Sequence, residues 1–273
     1  MREPSVAGMF YSASEASLKS EVNAYLEKAA KEVKQKQRLA IVCPHAGYVY
    51  SGQAAAYSFA CCSNWKEKEV TAIIIGPNHT GIGAPMSVSF DDWKTPLGIS
   101  RCNTGLAGEI INSSKIAEND ELAHLREHSC EVQLPFLQAI CPTAKIVCIC
   151  MGMQGISYAQ DLGKAVFDAI KKQKENVIVI ASSDFTHYET AEAAKAKDMP
   201  AINQLVGLDE KGFEEIIQKK SITACGHSPI AAALYYSKLA GAKKCELLKY
   251  TNSGETTGDY SSVVAYAALA MNK

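Results

Sequence analysis

Short apolar runs recur along the chain, spaced so that a helix fits between most of them. Residues 39–43, 70–75, 145–150 and 177–181 are rich in Ile and Val, and turn residues such as Pro44 and Gly76-Pro77 end the first two. Unbroken rather than alternating apolar character is what a strand covered on both faces requires. Elsewhere the period becomes helical. Leu18, Val22, Tyr25 and Leu26 predict a helix over 12–35, with Ser12 as cap and Glu15 completing a capping box. Further helices are predicted over 54–65, 106–113, 158–172, 191–205, 209–219 and 229–239. Pro200 marks a break in the fourth of these, Asp209 caps the fifth, and Pro229 opens the last. A helix over 122–140 is expected to be interrupted near Pro135. Residues 86–90, 245–250 and 262–268 read as additional strands, 95–98 as a turn and 251–258 as a polar loop. Gly47 and Gly52 are expected to bracket a tight loop. Strands alternating with helical patterns predict an α/β fold. The expectation is a single domain over 1–273, with a largely parallel mixed sheet and helices on both faces.

Composition narrows the classes of function. The formal net charge is -1, so no overall positive field attracts a nucleic acid. The lysines at 31, 34 and 36 and at 171, 172 and 174 read as solvated helix ends. No run approaches the roughly 18 apolar residues that span a bilayer, and the first eleven residues lack the pattern of a signal peptide. Neither a membrane nor a nucleic acid is therefore expected as a partner, and a cytoplasmic location is. The ten cysteines include no Cys-x-x-Cys pair and read as free thiols. Phosphate-binding and dinucleotide-binding glycine loops are absent, so no nucleotide cofactor is expected.

Candidate chemistry collects at the ends of the apolar runs, where open α/β sheets build their sites. His45 follows the first run and His79 the second. If their strands are neighbours, the two imidazoles meet at one sheet edge as a pair of metal ligands, with Asn78 fixing a ring tautomer. Asp184 and His187 follow the fourth run, three residues apart, so the carboxylate can orient a histidine acting as general base. Cys225 and His227 precede the helix that Pro229 opens, a setting that favours a thiolate as ligand or nucleophile. Within Glu127-His128-Ser129-Cys130-Glu131, His128 can face the same pocket and Glu131 can orient a metal-bound imidazole. His124 lies four positions earlier, on the same face if that segment is helical. For each of these residues a plain structural role is the alternative.

The strings Pro44-His45-Ala46-Gly47-Tyr48, Gly76-Pro77-Asn78-His79, Glu127-His128-Ser129, Ser182-Ser183-Asp184-Phe185-Thr186-His187 and Cys225-Gly226 occur in an order that resembles the MEMO family, mediators of ErbB-driven cell motility and their microbial relatives. The likeness covers nearly the whole chain. That family is similar in fold to the class III extradiol dioxygenases, which open catechol rings with non-haem iron. The resemblance implies metal ligands at His45, His79 and Cys225, with Asp184 and His187 beside them, and a bound Fe(II) or copper ion, zinc being the further option. It places a thiol where those dioxygenases use a carboxylate, which favours softer metals. It also implies a small-molecule or peptide ligand, and by family context radical-SAM and AMMECR-like protein partners. Animal members carry Cys-Gly-Arg-His where this chain has Cys225-Gly226-His227-Ser228, and flank the histidine at 187 with cysteine and tryptophan where it has Thr186 and Tyr188. Three functions follow as expectations: a metal-dependent oxidoreductase, a binding or scaffold protein retaining the pocket, or a hydrolase using Cys225 and His187.

Overall fold

The structure is a computed structural model that describes residues 1–62, 69–173 and 176–273. The predicted helix end at Trp65 and the lysine at 174 lie outside these residues. In chain order the strands are β1 (Ala40–Cys43), β2 (Thr71–Pro77), β3 (Met86–Val88), β4 (Trp93–Thr95), β5 (Gly98–Ser100), β6 (Glu118–Asn119), β7 (Lys145–Met151), β8 (Val177–Ser182), β9 (His187–Glu189), β10 (Lys244–Asn252) and β11 (Val263–Asn272). The helices are α1 (Glu15–Ala30), α2 (Tyr48–Ala60), α3 (Thr104–Ser113), α4 (Leu134–Ile140), α5 (Ile156–Gln173), α6 (Ala191–Val206), α7 (Glu210–Lys219), α8 (His227–Leu239) and α9 (Gly254–Thr257).

One mixed sheet organises the chain, in the order β10-β11-β1-β8-β2-β7-β3-β6, with β9 paired to β11. Its centre, β1-β8-β2-β7, is parallel. β11 joins β1 and β3 joins β7 in antiparallel fashion, so the sheet is parallel in the middle and mixed at its flanks. The four apolar runs are these four central strands, and their side chains alternate between two cores. Val42, Ile73, Val147 and Val179 face one core, and Ile41, Ile74, Ile146 and Ile180 the other. Helices cover both faces, which is why the strands carry no polar alternation. Among the described residues no helix is long and apolar enough to cross a membrane.

Several boundaries differ from the sequence reading, each for a local reason. Ser14, not Ser12, caps α1, accepting the Ser17 amide. Helix α2 begins directly after Gly47 rather than at residue 54, because the Tyr48 amide is taken by the Phe10 carbonyl outside the helix. Gly52 therefore lies inside α2, where the Tyr25 ring leaves no room for a Cβ. The 122–140 segment is not one helix. It comprises two 3₁₀ turns, Leu122–His124 and Glu131–Gln133, separated by irregular chain and followed by α4. Pro135 sits in the first turn of α4, where its missing amide is harmless, so it starts that helix instead of interrupting one. Helix α6 runs through Pro200, anchored on both sides by buried Ala194, Ala201 and Ile202.

Helices α5 and α8 pack backbone to backbone at Gly163. A Cβ on Gly163 would stand 2.6 Å from the Ala232 carbonyl oxygen and 3.1 Å from the Tyr236 nitrogen, both backbone atoms. Gly163→Ala is therefore expected to cost about 1–3 kcal/mol despite its better helix propensity. Chemical denaturation measures it, and an unchanged or raised stability would contradict this packing.

Candidate metal centre

The central parallel strands bring three loops together. Register pairs Cys43 with Ser182 and Ile75 with Ala181, so the chain leaving β1, β8 and β2 emerges at one edge. His45, Asp184 and His79 lie two residues beyond those strand ends. The irregular chain before Glu131 adds His128 from the side. Ligand atoms of His45, His79 and His128 all lie within 4.8 Å of one another. Their ring centroids are 4.6 to 5.3 Å apart. His128, expected only as a pocket residue, is thus as central to the cluster as the two histidines at the strand ends.

Hydrogen bonds fix how the imidazoles present themselves. His79 Nδ1 donates to Glu127 Oε1 at 2.9 Å, and the His79 amide donates to the other carboxylate oxygen at 2.5 Å. His45 Nδ1 lies 2.9 Å from Ser182 Oγ. That hydroxyl gives its single proton to the Ser129 carbonyl at 2.6 Å and accepts from Gln133 Nε2 at 2.8 Å. It has no proton left to give, so His45 Nδ1 is the donor. His187 Nδ1 donates to the Thr223 carbonyl at 3.0 Å. With Nδ1 donating, Nε2 is left as the acceptor atom of these rings, the arrangement that imidazole ligands of metals adopt, and at His45 that atom faces the Cys225 sulfur.

Cys225 joins from the turn before α8. Its sulfur lies 3.1 Å from His45 Nε2 and accepts the Asp184 amide at 3.3 Å. The Asp184 carboxylate accepts the His45 amide at 2.8 Å, so it holds the main chain of His45 rather than the ring of His187. Asn78 does not set a ring tautomer. Its side chain closes its own turn, accepting from Thr80 and Gly81 and donating to the Ile82 carbonyl, and Glu127 has the expected role. Glu131 is also otherwise engaged, accepting from Arg2, Ser5, Val6 and Tyr11. His227 turns to the buried Glu214, with Nδ1 donating to its carboxylate at 2.9 Å. His124 is buried against Trp93 and donates from Nε2 to the Ser87 carbonyl. Neither His227 nor His124 lines the cavity.

Burial governs the electrostatics. It lowers the pKa of His45 well below the ordinary histidine value, with His128 and His79 adding repulsion. It likewise lowers His128 to about 4, against the attraction of Glu127. Both rings are neutral at pH 7, ready to donate to a metal without losing a proton. Burial pushes the Cys225 thiol up and raises Asp184 to about 6, the latter against the His45 amide bond. Glu127 is the opposite case: burial alone would raise it, but the bond from His79, nearby His128 and the Ser129 amide together bring it to about 2. A carboxylate held in this way is a strong orienting acceptor for the ring of His79.

Above the histidines lies a cavity of about 580 Å³ walled by Met9, Phe10, Tyr50, His187, Tyr188 and Tyr266. This is the size and apolar character of a small-molecule site. Tyr188 is 80% exposed at its mouth and adopts a φ of 60°, a left-handed conformation costly for an aromatic residue. Sequence patterning held a signal for Glu127, which lies in a histidine-bearing string. It held none for Ser182 or Gln133 as supports of His45, because their roles arise from pairing across elements.

Comparison with known proteins identifies the family. The model of the Memo-like protein family matches residues 2–270. A MEMO1 family protein of Methanosarcina acetivorans is 43% identical over 270 residues, covering 98% of each chain. Another, of Methanothermobacter thermautotrophicus, is 40% identical over 277 residues, covering 99% of this chain and all of the relative. Among solved structures, an uncharacterized protein from Escherichia coli K12 shares the fold at a TM-score of 0.52 and 12% identity, over 85% of this chain and 99% of that one. The chain belongs to the Memo-like protein family.

Proposed function

We propose that the protein is a metal-dependent oxidoreductase that holds iron or copper at the histidine cluster and acts on a small organic molecule in the adjoining cavity. The observation that carries this reading is the cluster itself: three imidazoles whose ligand atoms lie within 4.8 Å of one another, at the base of an aromatic-walled cavity. The donors fit such an ion. Iron, copper and zinc all accept imidazole, and the orienting bonds to His45 and His79 are those a metal site requires. His45 and His79 would hold the ion in common, with His128 or Cys225 completing the set. When bound, iron or copper supplies one-electron chemistry toward substrate or dioxygen. His187, its Nδ1 proton tied to Thr223, accepts a substrate proton at Nε2. The aromatic walls suit a flat substrate. The family's likeness in fold to extradiol dioxygenases supports the same class of chemistry.

Protein purified anaerobically without added metal is expected to carry about one equivalent of iron or copper per chain by elemental analysis. It is also expected to consume oxygen with at least one member of a panel of catechols and other phenols. Absence of both metals, together with failure to take up either ion on reconstitution, would remove the oxidoreductase reading.

A second reading, a binding protein that keeps the pocket, draws on the exposed Met9, Tyr50 and Tyr188 around the mouth. It predicts partner binding that survives metal removal. The hydrolase reading pairs Cys225 with His187, whereas the Cys225 sulfur lies 3.1 Å from His45 Nε2.

A further inference from the structure

Residues 2–11 lie along the segment that carries Glu127 and His128. Arg2 is buried, with its guanidinium 4.1 Å over the Trp93 ring. Nε donates to the His124 carbonyl at 2.7 Å and Nη2 to the Glu127 carbonyl at 2.7 Å. Nη1 donates to Glu131 Oε2 at 2.6 Å. The Glu131 carboxylate in turn takes the amides of Ser5 and Val6 and the Tyr11 hydroxyl. Further along, the Phe10 ring packs 4.7 Å from that of His128, and the Phe10 carbonyl accepts the first amide of α2, three residues past His45.

The chain from Leu125 to Cys130 is neither helix nor strand, so it has no ladder to satisfy its buried carbonyls or to define its path. Arg2 supplies what the ladder would. Its planar fork has fixed donor directions, so gripping the carbonyls of His124 and Glu127 and the carboxylate of Glu131 sets all three relative to one another. The residue so located, Glu127, accepts the Nδ1 proton of His79, and its neighbour is His128.

We propose that Arg2 is a positioning residue of the metal centre, fixing residues 124–131 so that Glu127 meets His79 and His128 faces the cavity. The inference rests on the metal-centre reading only for what the positioning serves; the imidazole geometry is a separate quantity. A merely structural anchor would change stability and leave the histidines as they are.

The test uses the full chain with Arg2→Lys and Arg2→Met, ¹⁵N-labelled at histidine and free of metal. Lysine keeps a charge for Glu131 without the fork, and methionine keeps a side chain over Trp93 without donors, so the fold is probed two ways. Far-UV circular dichroism selects the variant and temperature at which the native content is retained. In that protein the His79 imidazole nitrogens are expected to lose the single Nδ1-protonated tautomer of the wild type, and the His128 signals to shift. Co²⁺ affinity, read from its absorption bands, is expected to fall about tenfold or more. Folded Arg2→Lys protein with wild-type His79 and His128 signals would overturn the positioning role. Wild-type protein that takes up no Co²⁺ would count against the metal reading alone, because the imidazole signals would still decide the role of Arg2.

Discussion

Glu127→Ala is expected to weaken metal binding by about 10–100-fold and to destabilise the metal-free protein by roughly 3 kcal/mol. The carboxylate is fully buried and accepts three donors: His79 Nδ1, the His79 amide and the Ser129 amide. Removing it frees the imidazole of His79 to rotate and to change tautomer, so the ring no longer presents Nε2 in one direction. The Ser129 amide is left without an acceptor in a buried place, which accounts for much of the stability loss. Glutamine does not repair the site. One oxygen faces His79 Nδ1 and Ser129 while the other faces the His79 amide, so either orientation of the new amide points a donor at a donor. Competition titration against a chelator measures the first effect and thermal unfolding the second. Wild-type metal affinity in Glu127→Ala would show that the ring of His79 needs no orienting carboxylate.

Gly226→Val is expected to cost about 3 kcal/mol and to separate Cys225 from His45. A Cβ at Gly226 would lie 2.4 Å from the Ser182 carbonyl oxygen and 2.8 Å from Ser183 Cβ, and the first of these is backbone at the end of β8. Neither partner can yield without moving the strand whose Ser182 hydroxyl holds His45. The alternative is that α8 withdraws, carrying Cys225 away from His45 Nε2 and the Asp184 amide, and breaking the bond from the Gly226 amide to Ser183 Oγ. The glycine is required for close approach and not for its backbone angle, since φ at Gly226 is -115°. Urea unfolding gives the energetic cost. The reactivity of Cys225 toward a small alkylating reagent reports directly on its withdrawal. Unchanged stability and unchanged thiol reactivity would rule out the close contact.

Most of the scaffold was legible along the chain. The four central strands are long apolar runs, and a strand buried on both faces has no other way to be written. The ends of those strands announced His45, His79 and Asp184, because side chains just past parallel strands gather at one edge of a sheet. Elements whose conformation depends on partners were less legible. Helix α2 starts early because the Phe10 carbonyl lies where the Tyr48 amide can use it. The 122–140 segment breaks into turns, and Arg2, distant in sequence, takes its carbonyls at His124 and Glu127.

The sequence by itself determined the central strands, their two covered faces and the family, since apolar periodicity and short motifs are local properties. Tertiary structure alone decided that His128 stands level with His45 and His79, that Glu127 rather than Asn78 orients His79, and that Cys225 faces His45 rather than His187. Those relations are distances between side chains from different elements. They depend on strand order, register and the angle at which a loop leaves the sheet, none of which is encoded in the neighbourhood of any one residue.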